Sequence, residues 1–130
     1  MNRGAYLITG FILLLLGSCA YVKVEPRTLC EPPSTVSFGR DIQPVFDVHC
    51  NTAGCHSGTN PKGNLNLEAA VAYSQLWKKK SGYIDTLNPI YSVLYASMNS
   101  TSNPMPPDGK LDKCTLDLVL KWIQQKAKNN

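Results

Sequence analysis

The sequence predicts an all-α fold, about four modest helices joined by long irregular loops. Three observations carry this. Apolar residues recur at spacings of three and four in four separate stretches. No stretch alternates apolar and polar residues as a half-buried strand would, and no internal repeat is evident. The segments between are rich in Pro, Gly, Asn and Ser, which interrupt regular structure.

The first helix is traced by Phe38, Ile42, Val45, Phe46 and His49 on one face and runs to about Cys50. Pro44 has to lie in its first turn, where a missing N–H costs little, and Asp41 is placed to cap that turn. Residues 57–66 (SGTNPKGNLN) form a loop by composition. A second helix is predicted over Glu68 to Lys78, with Leu67, Val71, Leu76 and Trp77 among alanines and Asn66 as its cap. Asn88-Pro89 supplies a cap followed by proline at the first helical position. Ile90, Val93, Leu94 and Met98 continue this third helix. Residues 99–110 (NSTSNPMPPDGK) are a proline-rich loop. The fourth helix runs from Asp112, its cap, to about Lys126, with Leu116, Val119, Leu120, Trp122 and Ile123 on its apolar side. Lys121, Lys126 and Lys128 suit its C-terminal dipole. With three Phe, two Trp and six Tyr in 130 residues, the core is thin. A loop-rich domain of this size needs a staple or a large buried group.

Ahead of the domain the chain reads MNRGAYLITGFILLLLGSC. Arg3 gives a positive start and Ala5 to Leu16 an apolar run of twelve residues. That run is too short for a stable membrane span and suits an export signal. It ends in Leu16-Gly17-Ser18-Cys19, which resembles the lipobox of bacterial lipoproteins. The resemblance implies cleavage before Cys19 and acylation of its thiol. Residues 1–18 are then the signal peptide, 19–36 the lipidated N-terminus and tether, and 37–130 the domain. Ala20 carries no retention aspartate, so the expected location is the cell envelope, anchored in the outer membrane and facing the periplasm. Losing Arg3 lowers the formal charge from +4 to +3, too mild a balance to imply nucleic acid. Lys78-Lys79-Lys80 is the one local charge cluster, a solvated face or a dock for an acidic partner protein.

Export places the five cysteines in an oxidising compartment. Cys19 goes to lipid, and Cys50 and Cys55 stand together in HCNTAGCHSG. Cys30 and Cys114 remain and make one expected disulfide, tying the lead-in to the last helix. The closed loop is long, so the chain-entropy argument gives roughly 4–5 kcal/mol, less any strain.

Cys50, Cys55 and His56 fit three uses: a local disulfide, a zinc site or a covalent haem. A disulfide needs no histidine. Zinc would need a fourth ligand such as His49 and favours closer cysteines. A haem needs two thiols for two vinyl groups and then an imidazole under the iron. The usual spacing has two residues between the cysteines, whereas here there are four, Asn51 to Gly54. They can bulge without moving the ends, with Gly54 giving backbone freedom. Downstream, Asn103-Pro104-Met105-Pro106-Pro107-Asp108-Gly109 sets one methionine between prolines. A stiff loop can present a thioether to an iron at small entropic cost. Met98 is the fallback ligand, on an apolar helical face.

The stretches FGRDIQPVFDVHCNTAGCHSG, GNLNL, NPMPPDGKLDKC and LVLKWIQQKAKNN together resemble a family. It is that of small c-type cytochrome domains in exported bacterial lipoproteins, of the Bacteroidetes and Planctomycete type. The resemblance covers about residues 37–130. It implies a class I cytochrome c-like fold around one haem c, with Cys50 and Cys55 as thioether attachment points, His56 as proximal iron ligand and Met105 as distal ligand. Phe38, Phe46, Trp122 and Ile123 would sit where the first and last helices cross. Relatives often place glycine where this chain has Lys126, before Ala127.

The function expected is single-electron transfer between redox partner proteins at a membrane surface, without enzymatic turnover. Two other readings remain at this stage. One is a non-redox structural or binding lipoprotein with a Cys50–Cys55 disulfide. The other is a haem enzyme or gas sensor with an open distal face.

Overall fold

The computed structural model describes residues 30–130. The signal peptide, Cys19 and the tether up to residue 29 lie outside the described residues. Among the described residues the regular structure is helical, with no strand.

The chain enters regular structure through a widened turn. Phe38–Ile42 is a π-helical turn that leads directly into α1, Gln43–His49. Pro44 explains the widening. It would sit mid-helix in a uniform helix over 38–49, where its missing N–H and its ring disrupt the ladder. The π turn moves the start of the α register to Gln43, so Pro44 falls in the first turn of α1. The cap is Ser37 rather than Asp41: Ser37 Oγ accepts from the Arg40 N–H, while Asp41 reaches back to accept from the Ser37 N–H at 2.7 Å. The two bonds form a reciprocal closure like a capping box.

α2 is Ala72–Leu76, much shorter than the predicted Glu68–Lys78. Its buried side chains are Ala72 and Leu76, one turn apart, and Trp77 is already 42% exposed. Beyond that row there is no apolar face to bury, so the helix gains nothing from continuing. Asn66 does not cap it. Its Oδ1 accepts from the Glu68 N–H at 2.8 Å, a local Asx turn.

The predicted third helix is divided. Pro89–Tyr91 forms a single 3₁₀ turn, Ser92 leaves helical geometry at φ −52°, ψ 127°, and α3 spans Val93–Asn99. Ser92 makes the break. It is fully buried, and its Oγ accepts from the Asp85 N–H at 2.8 Å and donates to the Asp85 carbonyl. The Val93 and Leu94 N–H groups bond the carbonyls of Gly82 and Tyr83 instead of preceding helical carbonyls. Ile90, predicted on the apolar face, is 54% exposed.

α4, Lys113–Gln124, follows its pattern closely. Asp112 caps it, accepting from the Thr115 N–H at 3.0 Å, and Leu116, Val119, Trp122 and Ile123 are buried. Its far end closes with paired bonds, Ala127 N–H to Trp122 O and Lys126 N–H to Ile123 O. That is a Schellman motif, with Lys126 at the left-handed position, φ +71°.

Phe38 joins the first and last helices. Its ring lies 5.4 Å from Trp122, 6.2 Å from Phe46 and 5.2 Å from Tyr73, centroid to centroid. The Phe46 and Tyr73 contacts are edge-on and the Trp122 contact is tilted, and aromatic pairing of this kind adds to the burial energy of each ring. Cys30 and Cys114 form a disulfide with Cα atoms 4.5 Å apart. From there the lead-in follows α4: Lys121 Nζ reaches the Pro32 carbonyl, and Gln125 bonds Ser34 O and the Val36 N–H. This is the staple that the thin core called for.

Candidate functional site

α1 ends where the site begins. The Cys50 and Asn51 N–H groups both close on Phe46 O, so the helix finishes with Cys50 half-buried beneath it. The chain then loops out over residues 51–54 and returns. Cys55 N–H bonds Thr52 O at 3.0 Å and His56 N–H bonds Cys50 O at 3.1 Å. The second bond ties the two ends of the bulge together, so the four intervening residues leave Cys50 beside His56. Gly54 turns the corner at φ +79°, a conformation that L side chains rarely adopt.

The histidine is held from the far side. The Leu67 N–H bonds His56 O at 2.8 Å, and His56 Nδ1 lies 3.1 Å from Leu65 O. A carbonyl can only accept, so Nδ1 carries the proton. That fixes the tautomer and leaves Nε2 with its lone pair available to a ligand partner. The 3₁₀ turn Lys62–Asn64 sets this geometry, with Lys62 N–H bonded to Cys55 O at 2.8 Å. Beneath it Gln43 Nε2 and Asn51 Nδ2 both reach Leu67 O and Asp47 Oδ1, bracing the segment against α1.

Cys50, Cys55, His56 and Met105 all line one cavity of about 330 Å³. Leu65, Leu67, Leu94, Met98, Pro106 and Pro107 supply most of its apolar wall. A volume of this order falls in the range of small-molecule and cofactor pockets. Met105 arrives on the proline-rich loop, which is pinned to α3 by a 3.0 Å bond from its N–H to Ser97 O. Its side chain is partly exposed at the rim, while Met98 is fully buried in the wall. His49 is half-buried and also lines the cavity beside Cys50. No group of three or more His, Cys, Asp or Glu side chains converges as a metal-binding cluster among the described residues.

Cys50 and Cys55 are unbridged thiols. Burial, with Cys55 close by, pushes the Cys50 thiol up to about 11. It is therefore protonated at neutral pH and a poor starting point for disulfide exchange, which proceeds through thiolate. An apolar pocket with two reduced thiols, an oriented imidazole and a thioether can hold a flat, largely apolar group by covalent and axial bonds together.

The sequence pointed to Cys50, Cys55, His56 and Met105, and the structure gathers all four. Cys30 and Cys114 are joined elsewhere, and Cys19 lies outside the described residues. The Leu65 carbonyl, Tyr83, Val93 and Ser97 belong to the site without a sequence signal. No known family model, curated protein or solved structure matches this chain.

Proposed function

We propose that the protein is a mono-haem c-type electron carrier of the class I cytochrome c kind, anchored through Cys19 to a membrane of the cell envelope. One observation supports this above the others. His56 offers Nε2 with its tautomer fixed by Leu65 O, and the Met105 thioether lines the same apolar cavity as His56 and both free thiols. The residues fit a haem c: Cys50 and Cys55 for the two thioether bonds, His56 and Met105 for the iron. When bound, such a group takes up and releases single electrons without consuming a coordination site.

The chain's part in that chemistry is structural and electrostatic. His56 is oriented by its Nδ1–H bond to Leu65 O, which leaves Nε2 as a ligand atom in the cavity's lining. Met105 would supply a thioether ligand to the iron, which would raise the reduction potential relative to a second histidine. Leu65, Leu67, Leu94 and Met98 exclude water from the pocket wall and so favour the less charged redox state. With His56 and Met105 both held by the iron, no position would remain for substrate, which supports a carrier with redox proteins as partners.

The assignment of Met105 is tested by the optical and paramagnetic resonance spectra of the haem-loaded protein. The parent is expected to be low-spin. Met105→Ala is expected to become high-spin, with covalent attachment retained. An unchanged spectrum in Met105→Ala would contradict the distal assignment.

A further inference from the structure

Four of the seven exposed large apolar side chains among the described residues lie on one loop. Leu87 is 84% exposed, Tyr91 73% and Ile90 54%, and the loop ends at Val93 on the wall of the cavity. This loop has a fixed shape. Its base is closed by Val93 N–H to Gly82 O at 2.9 Å and Leu94 N–H to Tyr83 O at 3.2 Å. Buried Ser92 braces it from inside through both backbone groups of Asp85. The Asp85 carboxylate in turn accepts from the Leu87 and Asn88 N–H groups, each at 2.9 Å. A braced loop that keeps three large apolar side chains in water marks an interaction surface.

Its charges choose the partner. Exposed Lys78, Lys79 and Lys80 run directly into the base of the loop, and Lys126 Nζ bonds Thr86 O beside the tip. Asp85, tied to its own backbone, is the one carboxylate between residues 78 and 93. Apolar side chains and a tyrosine flanked by lysines match the boundary between acyl chains and anionic headgroups.

The disulfide brings such a surface within reach. Because Cys30 is joined to Cys114 and residues 32–36 are clipped to α4, the spacer between Cys19 and Cys30 is only ten residues long. It spans at most about 40 Å. A bilayer on that leash meets the loop at high effective concentration.

We propose that the Gly82–Val93 loop docks on an anionic bilayer, with Leu87, Ile90 and Tyr91 among the headgroups and Lys78, Lys79, Lys80 and Lys126 facing the phosphates. The proposal rests on the lipid anchor at Cys19. It fixes which face of the domain the membrane covers, and so which part of the cavity rim stays open to redox partners.

The test uses the mature, lipidated, haem-loaded protein carrying a fluorophore at Leu87→Cys, a position exposed enough to tolerate change. It is reconstituted into vesicles of phosphatidylethanolamine and phosphatidylglycerol that contain a headgroup nitroxide quencher, and the labelled parent without the new thiol supplies the background. The expected result is quenching severalfold above the same protein in phosphatidylcholine vesicles. Replacing Lys78, Lys79 and Lys80 together by Gln should remove most of it. Flotation of the vesicles reports the anchor separately. Protein that floats without quenching overturns the docking and leaves the anchor standing. Protein that does not float overturns both. Protection of the label only after a periplasmic protein extract is added overturns the bilayer in favour of a protein interface.

Discussion

Lys126 shows how one residue can carry a cost that its neighbours compensate. It occupies the left-handed position of the Schellman motif that ends α4, where glycine is preferred because it has no Cβ to clash. Lys126→Gly is expected to stabilise the fold by about 1 kcal/mol, read as a higher denaturant midpoint. At the other end of α4, Asp112→Ala should cost about 1 kcal/mol by leaving the Thr115 N–H without its cap. Hydrogen bonds from the Thr115 hydroxyl and N–H hold the Asp112 carboxyl below its ordinary value of 3.8. The sign follows from that depression. The stability it contributes is complete above pH 3.8 and is lost as acid takes the pH down through the lower folded value. Asp112→Asn keeps a cap but cannot titrate, so its acid unfolding curve should be shallower than the parent's below about pH 4. Both ends of α4 could be read in advance to within a residue or two, Asp112 from its position before the apolar period and the far end from where that period stops, but the left-handed turn at Lys126 has no mark in the sequence. The Leu65 carbonyl that orients His56 could not, because every residue has such a group and nothing in a sequence marks which one is used.

The elements that were legible are those stabilised by local chemistry and a continuous apolar face. α4 has both, and its predicted buried positions Leu116, Val119, Trp122 and Ile123 are buried. α2 and the start of α3 depart from their sequence pattern because packing and non-local bonds decide them. Alanines between 69 and 72 favour helix, but the short apolar row of Ala72 and Leu76 gives only one turn something to pack on. Asn88-Pro89 reads as a helix start, yet Val93 and Leu94 spend their N–H groups on residues ten or more positions earlier. The proline in α1 was recognised as a first-turn residue, while the π turn ahead of it, which makes that possible, has no sequence mark of its own. Ser92 is the testable hinge of this region. Ser92→Ala removes the acceptor of the Asp85 N–H in a buried place and is expected to cost about 1–3 kcal/mol. Amide exchange should quicken first in Asp85, Val93 and Leu94, where the loop is braced, and α4 should keep its protection.

Across the whole molecule, the described chain is a short helical framework with a cavity on one side. The aromatic contacts of Phe38 with Phe46, Tyr73 and Trp122 secure the side where the first and last helices meet. The disulfide fixes the lead-in along α4. On the remaining side the thiols, the imidazole and the methionine loop surround the cavity instead of packing against one another. A flat apolar group there would complete the core as well as carry electrons, so folding and loading are coupled in this account. The most direct test is the intact mass of protein made with haem-maturation machinery, together with its alkaline pyridine spectrum. The account predicts a mass raised by one haem, a c-type pyridine spectrum and no alkylation of Cys50 or Cys55. An unmodified polypeptide mass, with both thiols open to alkylation or bridged to each other, would contradict it.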